Sequence, residues 1–168
     1  MLIRPALPED DDAIWSILEP ICAAGEVFCV APDSGRAGAM DYWAGGPRRR
    51  VFVAEVGGEI LGTSYLRPNQ GGGGAHVANA GYATAPAAQG HGVARALLDH
   101  SLATARAAGF RAMQFNFVVA SNTRAIALWE AAGFRTVGRL PGAFDHPTLG
   151  YVDALVMFRP LSDAGRDG

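Results

Sequence analysis

The amino-acid sequence predicts one mixed α/β domain, and three observations support this prediction. Strand-type apolar runs alternate with segments whose apolar residues recur every three or four positions, as on one face of a helix. The chain has 168 residues, 49% of them apolar, which is enough for one substantial core. A glycine-containing segment, residues 89–94, joins a strand-type run to a helix-type run. Residues 1–160 are predicted as a single domain without repeats or linkers, and residues 161–168 as a flexible tail.

The N-terminal third is predicted to contain one strand and two helices. Residues 2–5 form the strand, and residues 10–12, all aspartates, are candidate caps for a following helix. The apolar residues of that helix recur at i, i+3, i+4 and i+7, namely Ile14, Ile17, Leu18 and Ile21. Residues 23–49 mix glycine, proline and polar residues with large apolar ones, which predicts a loop with one short helix.

Three strands are predicted next. Residues 50–56 and 59–66 form a hairpin across the two-residue turn Gly57-Gly58. Residues 69–74 contain four successive glycines and are predicted to be a flexible tip, because glycine gains the most freedom in the unfolded chain. The central strand is predicted at residues 75–84.

The C-terminal half is predicted to contain two helices and three strands. Residues 93–108 form the major helix, which ends at a glycine, and residues 113–119 form the next strand. Residues 122–132 form a helix that also ends at a glycine. Residues 134–140 and 151–158 supply the last two strands.

Composition limits the class of function. The net charge is −2, and Arg48-Arg49-Arg50 is the one basic run, so nucleic acid is not expected as a partner; that run is interpreted as a solvated strand entry. No apolar segment is long enough to span a membrane, and no cleavable signal pattern is visible. Cys22 and Cys29 lack a metal-type spacing and are expected to be reduced, with no metal site. A cytoplasmic enzyme is the simplest prediction.

The segment Gln89-Gly90-His91-Gly92-Val93-Ala94 is the most informative part of the chain. A glycine-rich turn that opens a helix leaves backbone N–H groups without intrahelical partners, and the helix dipole favours an anion there. The segment therefore predicts a phosphate-bearing ligand, although such a turn can also simply end a strand. Arg95 excludes the dinucleotide fingerprint, and a chain without lysine excludes the P-loop.

Two motifs resemble the GNAT superfamily of N-acetyltransferases. The pattern Gln89-x-x-Gly92-x-Ala94 is similar to that superfamily's coenzyme A loop, Gln/Arg-x-x-Gly-x-Gly/Ala. A second block follows in the expected order: Asn122, Ala125, Leu128-Trp129-Glu130 and Gly133-Phe134. The resemblance covers about residues 2–160, and its motifs concentrate in residues 76–135.

The resemblance implies a GNAT fold and acetyl-CoA as the cofactor. The implied sheet is mixed and mostly antiparallel, has about seven strands, splays between strands 4 and 5, and is flanked by about four helices. Where the strands part, unpaired backbone groups can bind the amides of the pantetheine arm. The implied cofactor-binding residues are Tyr82, Ala83 and Thr84 for the arm and thioester, Gln89, Gly90, His91, Gly92, Val93, Ala94 and Arg95 for the pyrophosphate, and Asn122 and Trp129. Asn122 is also a candidate helix cap.

The sequence departs from the family pattern at two positions. Many members carry tyrosine where this chain has Trp129, and an indole cannot protonate the leaving thiolate. Members also often carry a glutamate on the fourth strand, whereas residues 76–84 contain no acid. The remaining candidates for the base are a water chain or one of the side chains His76, Tyr82, Glu26, Asp145 and His146.

Asn79 and Asn116 each interrupt an otherwise apolar strand, so each needs polar partners if buried. They are interpreted either as satisfied core amides or, with Tyr82, as the catalytic pocket that binds the acceptor. The segments around residues 113–122, 128–130 and 140–144 resemble one branch, fungal and bacterial N-acetyltransferases of proline-like amino acids such as azetidine-2-carboxylate.

The predicted function is therefore an acetyl-CoA-dependent N-acetyltransferase that transfers acetyl to a small amine or amino-acid analogue by direct attack in a ternary complex. Two alternatives remain open: a coenzyme A-binding sensor without turnover, and a protein N-terminal or lysine acetyltransferase. The chain is expected to be a monomer or a homodimer.

Overall fold

The structure, a computed structural model, describes residues 1–88 and 90–161. Gln89 and most of the predicted tail, residues 162–168, lie outside the described residues. The described chain contains seven strands and four α-helices: β1 Leu2–Pro5, α1 Asp11–Ala24, α2 Gly35–Ala44, β2 Arg50–Val56, β3 Glu59–Pro68, β4 Val77–Thr84, α3 Val93–Ala107, β5 Ala112–Val119, α4 Thr123–Ala131, β6 Arg135–His146 and β7 Gly150–Pro160.

The strands follow the order β1-β2-β3-β4-β5-β7-β6 in a mixed sheet. β4 and β5 are parallel, whereas the pairs β1/β2, β2/β3, β5/β7 and β6/β7 are antiparallel. The parallel ladder pairs Val77 with Ala112 and Ala78 with Met113, both at the beginning of their strands. The predicted mixed, mostly antiparallel seven-stranded sheet is confirmed, and this short ladder is the feature that a sheet opening between strands 4 and 5 requires.

The chain divides into two compact units, and the first contains residues 1–67 and 80–103. Its core packs the predicted α1 stripe, which includes Ile14, Ile17 and Leu18, against the fully buried Trp43. The Trp43 indole donates a hydrogen bond to Thr63 Oγ1 at 3.0 Å, and that hydroxyl donates to the Phe52 carbonyl at 3.0 Å. These bonds satisfy the polar atoms that packing removes from water.

Asp10 fastens the beginning of this unit. Its carboxylate accepts two hydrogen bonds from the Arg4 guanidinium, at 2.7 and 2.9 Å, and one from the Leu7 N–H at 2.7 Å. α1 begins one residue later, and Asp10 makes no side-chain hydrogen bond to that helix. The predicted cap of α1 is thus replaced by an anchor between Arg4 and the 3-10 turn that precedes the helix.

The second unit contains residues 68–79 and the described residues from Thr104 onward. Phe115 on β5 stacks on Phe134 with ring centroids 4.3 Å apart and contacts Trp129 of α4 at 5.0 Å. The predicted flexible tip contains a 3-10 turn, Gly72–Gly74, in which the Ala75 N–H donates to the Gly72 carbonyl at 3.1 Å. Local hydrogen bonds of this kind offset the freedom that glycine loses on folding.

The last hairpin is longer than the sequence predicts. β6 continues past residue 140 to His146, through Pro141 and Gly142, because the pairing with β7 is irregular between Leu140 and Phe144. A bulge lets a proline lie in a strand, since the local ladder does not need its missing N–H. Asp153 on β7 holds this region by accepting from the Gly142 N–H at 2.9 Å.

Candidate active site

The predicted phosphate loop forms a turn at the beginning of α3. A 3-10 turn, Pro86–Ala88, follows β4, and Gly90 and Gly92 adopt φ values of +83° and +72°. L-residues rarely adopt this conformation, so the turn explains why glycine occupies both positions. A Cβ atom built on either residue meets nothing within 4 Å, so open space faces both glycines.

The donors of this turn come from the helix end. In the described part of the chain, the first hydrogen bond of the helical ladder runs from the Ala96 N–H to the Gly92 carbonyl at 2.9 Å. The N–H groups of Ala94 and Arg95 precede that bond, in the turn where helices leave donors for anions. His91 differs from the prediction, because its N–H already donates to the Ala88 carbonyl at 3.1 Å. Gln89 lies outside the described residues.

Side-chain packing orients this end of α3. Val93 and Leu97 are 1% and 0% exposed and pack with Ala54 and Ala88. The Arg95 side chain points along the exposed helix face and pairs with Asp99 at 2.9 Å. Val93 therefore holds the helix in place, and a phosphate contact by Arg95 would have to compete with an exposed ion pair that contributes little.

Tyr82 does not share a face of β4 with Asn79. Tyr82 packs against the cluster that contains Val93 and Leu97, whereas Ala83 packs in the cluster of Trp43. Side chains alternate along a strand, so residues 79 and 82 point to opposite faces. The predicted side-chain pocket of Asn79, Tyr82 and Asn116 therefore stays a prediction. Burial raises the pKa of the Tyr82 phenol, which favours its protonated form at neutral pH.

Asn79 and Asn116 belong to one group of four amide side chains, which we call the amide cluster: Asn69, Asn79, Gln114 and Asn116. The Asn79 Nδ2 donates to the Gln114 carbonyl at 2.9 Å, just beyond the last paired residues of β4 and β5. Asn116 accepts from Gln114 Nε2 at 2.9 Å and donates to Asn69 Oδ1 at 2.7 Å.

The two predicted asparagines differ in burial. Asn79 is 5% exposed and bonds a backbone group, which favours the interpretation as a core amide. Asn116 is half-buried and bonds only side chains in the described contacts, so it remains the better candidate for an acceptor contact.

Asn122 and Trp129 lie at the two ends of α4. The Asn122 Oδ1 accepts from the Ala125 N–H at 3.3 Å, which confirms the predicted cap. Trp129 is 8% exposed and lies against Phe115. The indole is thus part of the core of this unit, and its predicted contact with a coenzyme stays a prediction.

Comparison with known proteins decides the family. The model of the Acetyltransferase (GNAT) family matches residues 13–134, which include β4, the turn before α3 and α4. The chain belongs to the GNAT acetyltransferase family. It is similar to a solved GCN5-related N-acetyltransferase from Kribbella flavida, with 42% identity, a TM-score of 0.88, and 95% of this chain and 96% of that one covered.

Two further relatives extend the comparison. N-acetyltransferase aca1 of Schizosaccharomyces pombe is 36% identical over 114 residues, which are 62% of this chain and 52%, about half, of that protein. The fold also matches yncA of Salmonella typhimurium, which was solved with its cofactor acetyl-CoA. The TM-score is 0.79, and the identity is 22% over 100% of this chain and 98% of that one.

The GNAT chain offers few side chains as a base. The His146 Nδ1 accepts N–H groups from Thr148 and Leu149, each at 3.3 Å, in the turn between β6 and β7. His76, Glu26 and Asp145 are exposed. The choice among a water chain and these side chains as the base therefore stays a prediction.

Sequence reasoning missed one group of residues in the first unit, which we call the aromatic–arginine cluster: Tyr42, Arg49, Tyr65 and Arg67. Arg48 and Arg50 are exposed, as a solvated strand entry predicts, but Arg49 is half-buried and its guanidinium lies 4.7 Å from the centre of the Tyr65 ring. The signal available in the sequence was weak, because a run of three arginines does not show which one turns inward.

None of the four α-helices of the described residues is long and apolar enough to cross a membrane. Over residues 1–88 and 90–161, no three His, Cys, Asp or Glu side chains lie close enough together to hold a metal ion.

Proposed function

We propose that the protein transfers the acetyl group of acetyl-CoA to the nitrogen of a small amine or amino-acid analogue. The observation that carries this proposal is the turn at the beginning of α3, whose pattern Gln89-x-x-Gly92-x-Ala94 resembles the family's coenzyme A loop. Membership of the GNAT family supports the reaction class, and the similarity to yncA, solved with acetyl-CoA, supports the cofactor.

The residues of the turn fit a pyrophosphate group. Open space faces Gly90 and Gly92, and the first turn of α3 contributes backbone donors and the positive end of its dipole. Residues 82–84 would line the pantetheine arm with backbone groups. When bound there, acetyl-CoA supplies an activated acyl group on a thiol of low basicity.

The chain's own contribution to transfer is positioning. A backbone N–H at the end of β4 would donate to the carbonyl oxygen as negative charge develops there, which is commonly the largest contribution in acyl transfer. In direct transfer the acceptor nitrogen would form the amide bond while the thioester C–S bond breaks and coenzyme A leaves as its thiolate, and water would take the proton from the nitrogen. The family does not need a covalent enzyme intermediate for this route, and burial raises the pKa of both cysteine thiols, which disfavours thiolate formation.

The acceptor is proposed to be an amino-acid analogue of the proline-like type. The resemblance of the segments around residues 113–122 and 140–144 to that branch supports this choice. Asn116 is proposed to contact the acceptor, because its amide is half-buried and bonded to other side chains that can rearrange.

The test is thiol release from acetyl-CoA against amino acids, proline analogues, polyamines and short peptides, with acetyl-CoA binding measured separately by calorimetry. Turnover with a small amino acid or analogue is the expected result. Turnover only with peptides would instead indicate that the protein is a protein acetyltransferase. Acetyl-CoA binding without any turnover would favour the sensor, which Trp129 in place of the usual tyrosine also favours.

A further inference from the structure

We infer that the aromatic–arginine cluster binds the carboxylate of the acceptor, so that the substrates are amines that carry a carboxylate. This inference rests on the proposed acetyl transfer and names the chemical group that its acceptor must carry. All four residues of this cluster belong to the first unit.

Arg49 has a buried hydrogen-bond donor without an acceptor. Its Nη1 donates to the Tyr42 carbonyl, but its Nε is buried and has no hydrogen-bond partner. A buried donor without a partner loses the free energy of its hydration, and such groups in native proteins commonly indicate a missing ion or ligand. A carboxylate that accepts from the Nε edge of the guanidinium would satisfy it with two parallel hydrogen bonds.

Stacking on Tyr65 holds the Arg49 guanidinium in one plane. It lies over the Tyr65 ring at 4.7 Å, and Tyr65 is itself 7% exposed and packed edge-on against Trp43 at 5.1 Å. Stacking on an aromatic face fixes the plane of the guanidinium, and the hydrogen bonds to a carboxylate form in that plane. The cluster is therefore preorganised, and binding orders few additional side chains.

The positive charge around Arg49 favours an anion. Burial, and next the positive charge of Arg67, lower the pKa of Arg49. Two guanidinium groups close enough to influence each other repel, and an anion between them removes that cost. Tyr42 and Tyr65 share a hydrogen bond, and burial raises the pKa of both phenols, so both stay neutral and the hydroxyl that accepts in this bond keeps its own proton to donate.

The cluster lies beside β4, at Gly81. A Cβ atom on Gly81 would lie 2.4 Å from a carbon of the Tyr65 ring, so the ring rests directly on the backbone of β4 at that residue. Gly81 immediately precedes residues 82–84, the segment proposed to line the thioester. A carboxylate held at Arg49 would thus lie next to the strand at which transfer is proposed to occur.

The experiment compares matched acceptors with and without a carboxylate: L-proline and L-prolinamide, glycine and glycinamide, L-azetidine-2-carboxylate and azetidine. The wild-type protein is expected to prefer the acids. Arg49→Met should raise KM for the acids about 10- to 100-fold, the loss of one charged hydrogen-bonded pair, and leave KM for the amines and for acetyl-CoA unchanged. Arg49→Lys should recover part of the loss, and Arg48→Met, at the exposed neighbouring arginine, should change nothing.

Two results would overturn the inference: equal use of acids and amides by the wild-type protein, or an equal loss for both in Arg49→Met. If Arg49→Met does not fold, as judged from its thermal unfolding, Arg67→Met replaces it with the same expectation. If the wild-type protein releases no thiol with any acceptor, the proposed function fails, and calorimetric binding of L-proline and L-prolinamide decides the inference alone. Binding of the acid that Arg49→Met abolishes would keep the carboxylate site, and binding that is absent or unaffected would overturn it.

Discussion

The turn before α3 and the amide cluster of β4 and β5 present polar groups in two different ways. The turn uses backbone donors, and it requires two positions that tolerate positive φ and the buried Val93 side chain that holds the helix in place. The amide cluster uses side chains and joins different segments of the chain, as Asn116 bonds Asn69, 47 residues away. We therefore expect ligand binding at the turn to be lost mainly when larger residues replace its glycines. In the amide cluster we expect the loss of any one amide side chain to affect function.

Bulk at Gly92 should have the largest effect. Gly92→Val is expected to weaken acetyl-CoA binding at least about 100-fold, because the side chain would fill the open space where the pyrophosphate is proposed to lie, a loss of about 2.7 kcal/mol. Calorimetric titration measures this. Gly109→Val is the matched control, because Gly109 has a φ of +83° and open space around it, after the other end of α3. An equal loss in both variants would show that backbone strain, and not a phosphate site, is responsible.

Removal of one amide should have a smaller and more selective effect. Asn116→Ala leaves the side chains of Asn69 and Gln114 without this partner and is expected to raise KM for the acceptor about tenfold, the cost of roughly one hydrogen bond. The dissociation constant for acetyl-CoA should change less than threefold or so. The reverse order, a larger loss for acetyl-CoA than for the acceptor, would contradict the proposed role.

A third experiment tests the anchor that Asp10 forms with Arg4 and the Leu7 N–H, which no proposed ligand contacts. The hydrogen bonds from Arg4, and next from the Leu7 N–H, hold the pKa of Asp10 below its ordinary value against the opposing effect of burial. Asp10→Asn should lower Tm at pH 7 by about 3–6 °C. A group with a lowered folded pKa stabilises above its unfolded pKa of about 4, so the difference from wild type should shrink as the pH falls through the folded pKa.

Asp12→Asn is the control for this experiment, because the Asp12 side chain is 87% exposed and its ion pair with Arg36 should contribute little. A difference in Tm between the wild-type protein and Asp10→Asn that stays constant from pH 7 to pH 2 would show that the carboxylate charge is not what stabilises this anchor.

The smallest effect is expected at Trp129. Trp129→Tyr should change kcat by no more than about threefold, because the side chain is buried against Phe115 and a phenol there would replace core packing. Rates of thiol release at saturating substrates measure this. A rise of tenfold or more would show that the position reaches the leaving thiolate, and that the missing tyrosine limits the reaction.

The sequence predicted those elements that local patterns encode. The bounds of β1 and β2 agree with the predicted residues 2–5 and 50–56, and Asn122 caps α4 as its residue type indicates. β6 was predicted too short, because Pro141 and Gly142 are local strand breakers and only the pairing with β7 shows that the strand accommodates them with a bulge.

The family and the turn before α3 could thus be read from residues alone, since a coenzyme loop made of backbone donors has its signature in glycine spacing, which no distant partner alters. The partners of Asn79 and Asn116 and the inward turn of Arg49 depended on the tertiary structure. The physical reason is that the hydrogen-bond and packing partners of each polar side chain define a site built from side chains. That information comes from chain segments far apart in sequence, which neither periodicity nor residue type specifies.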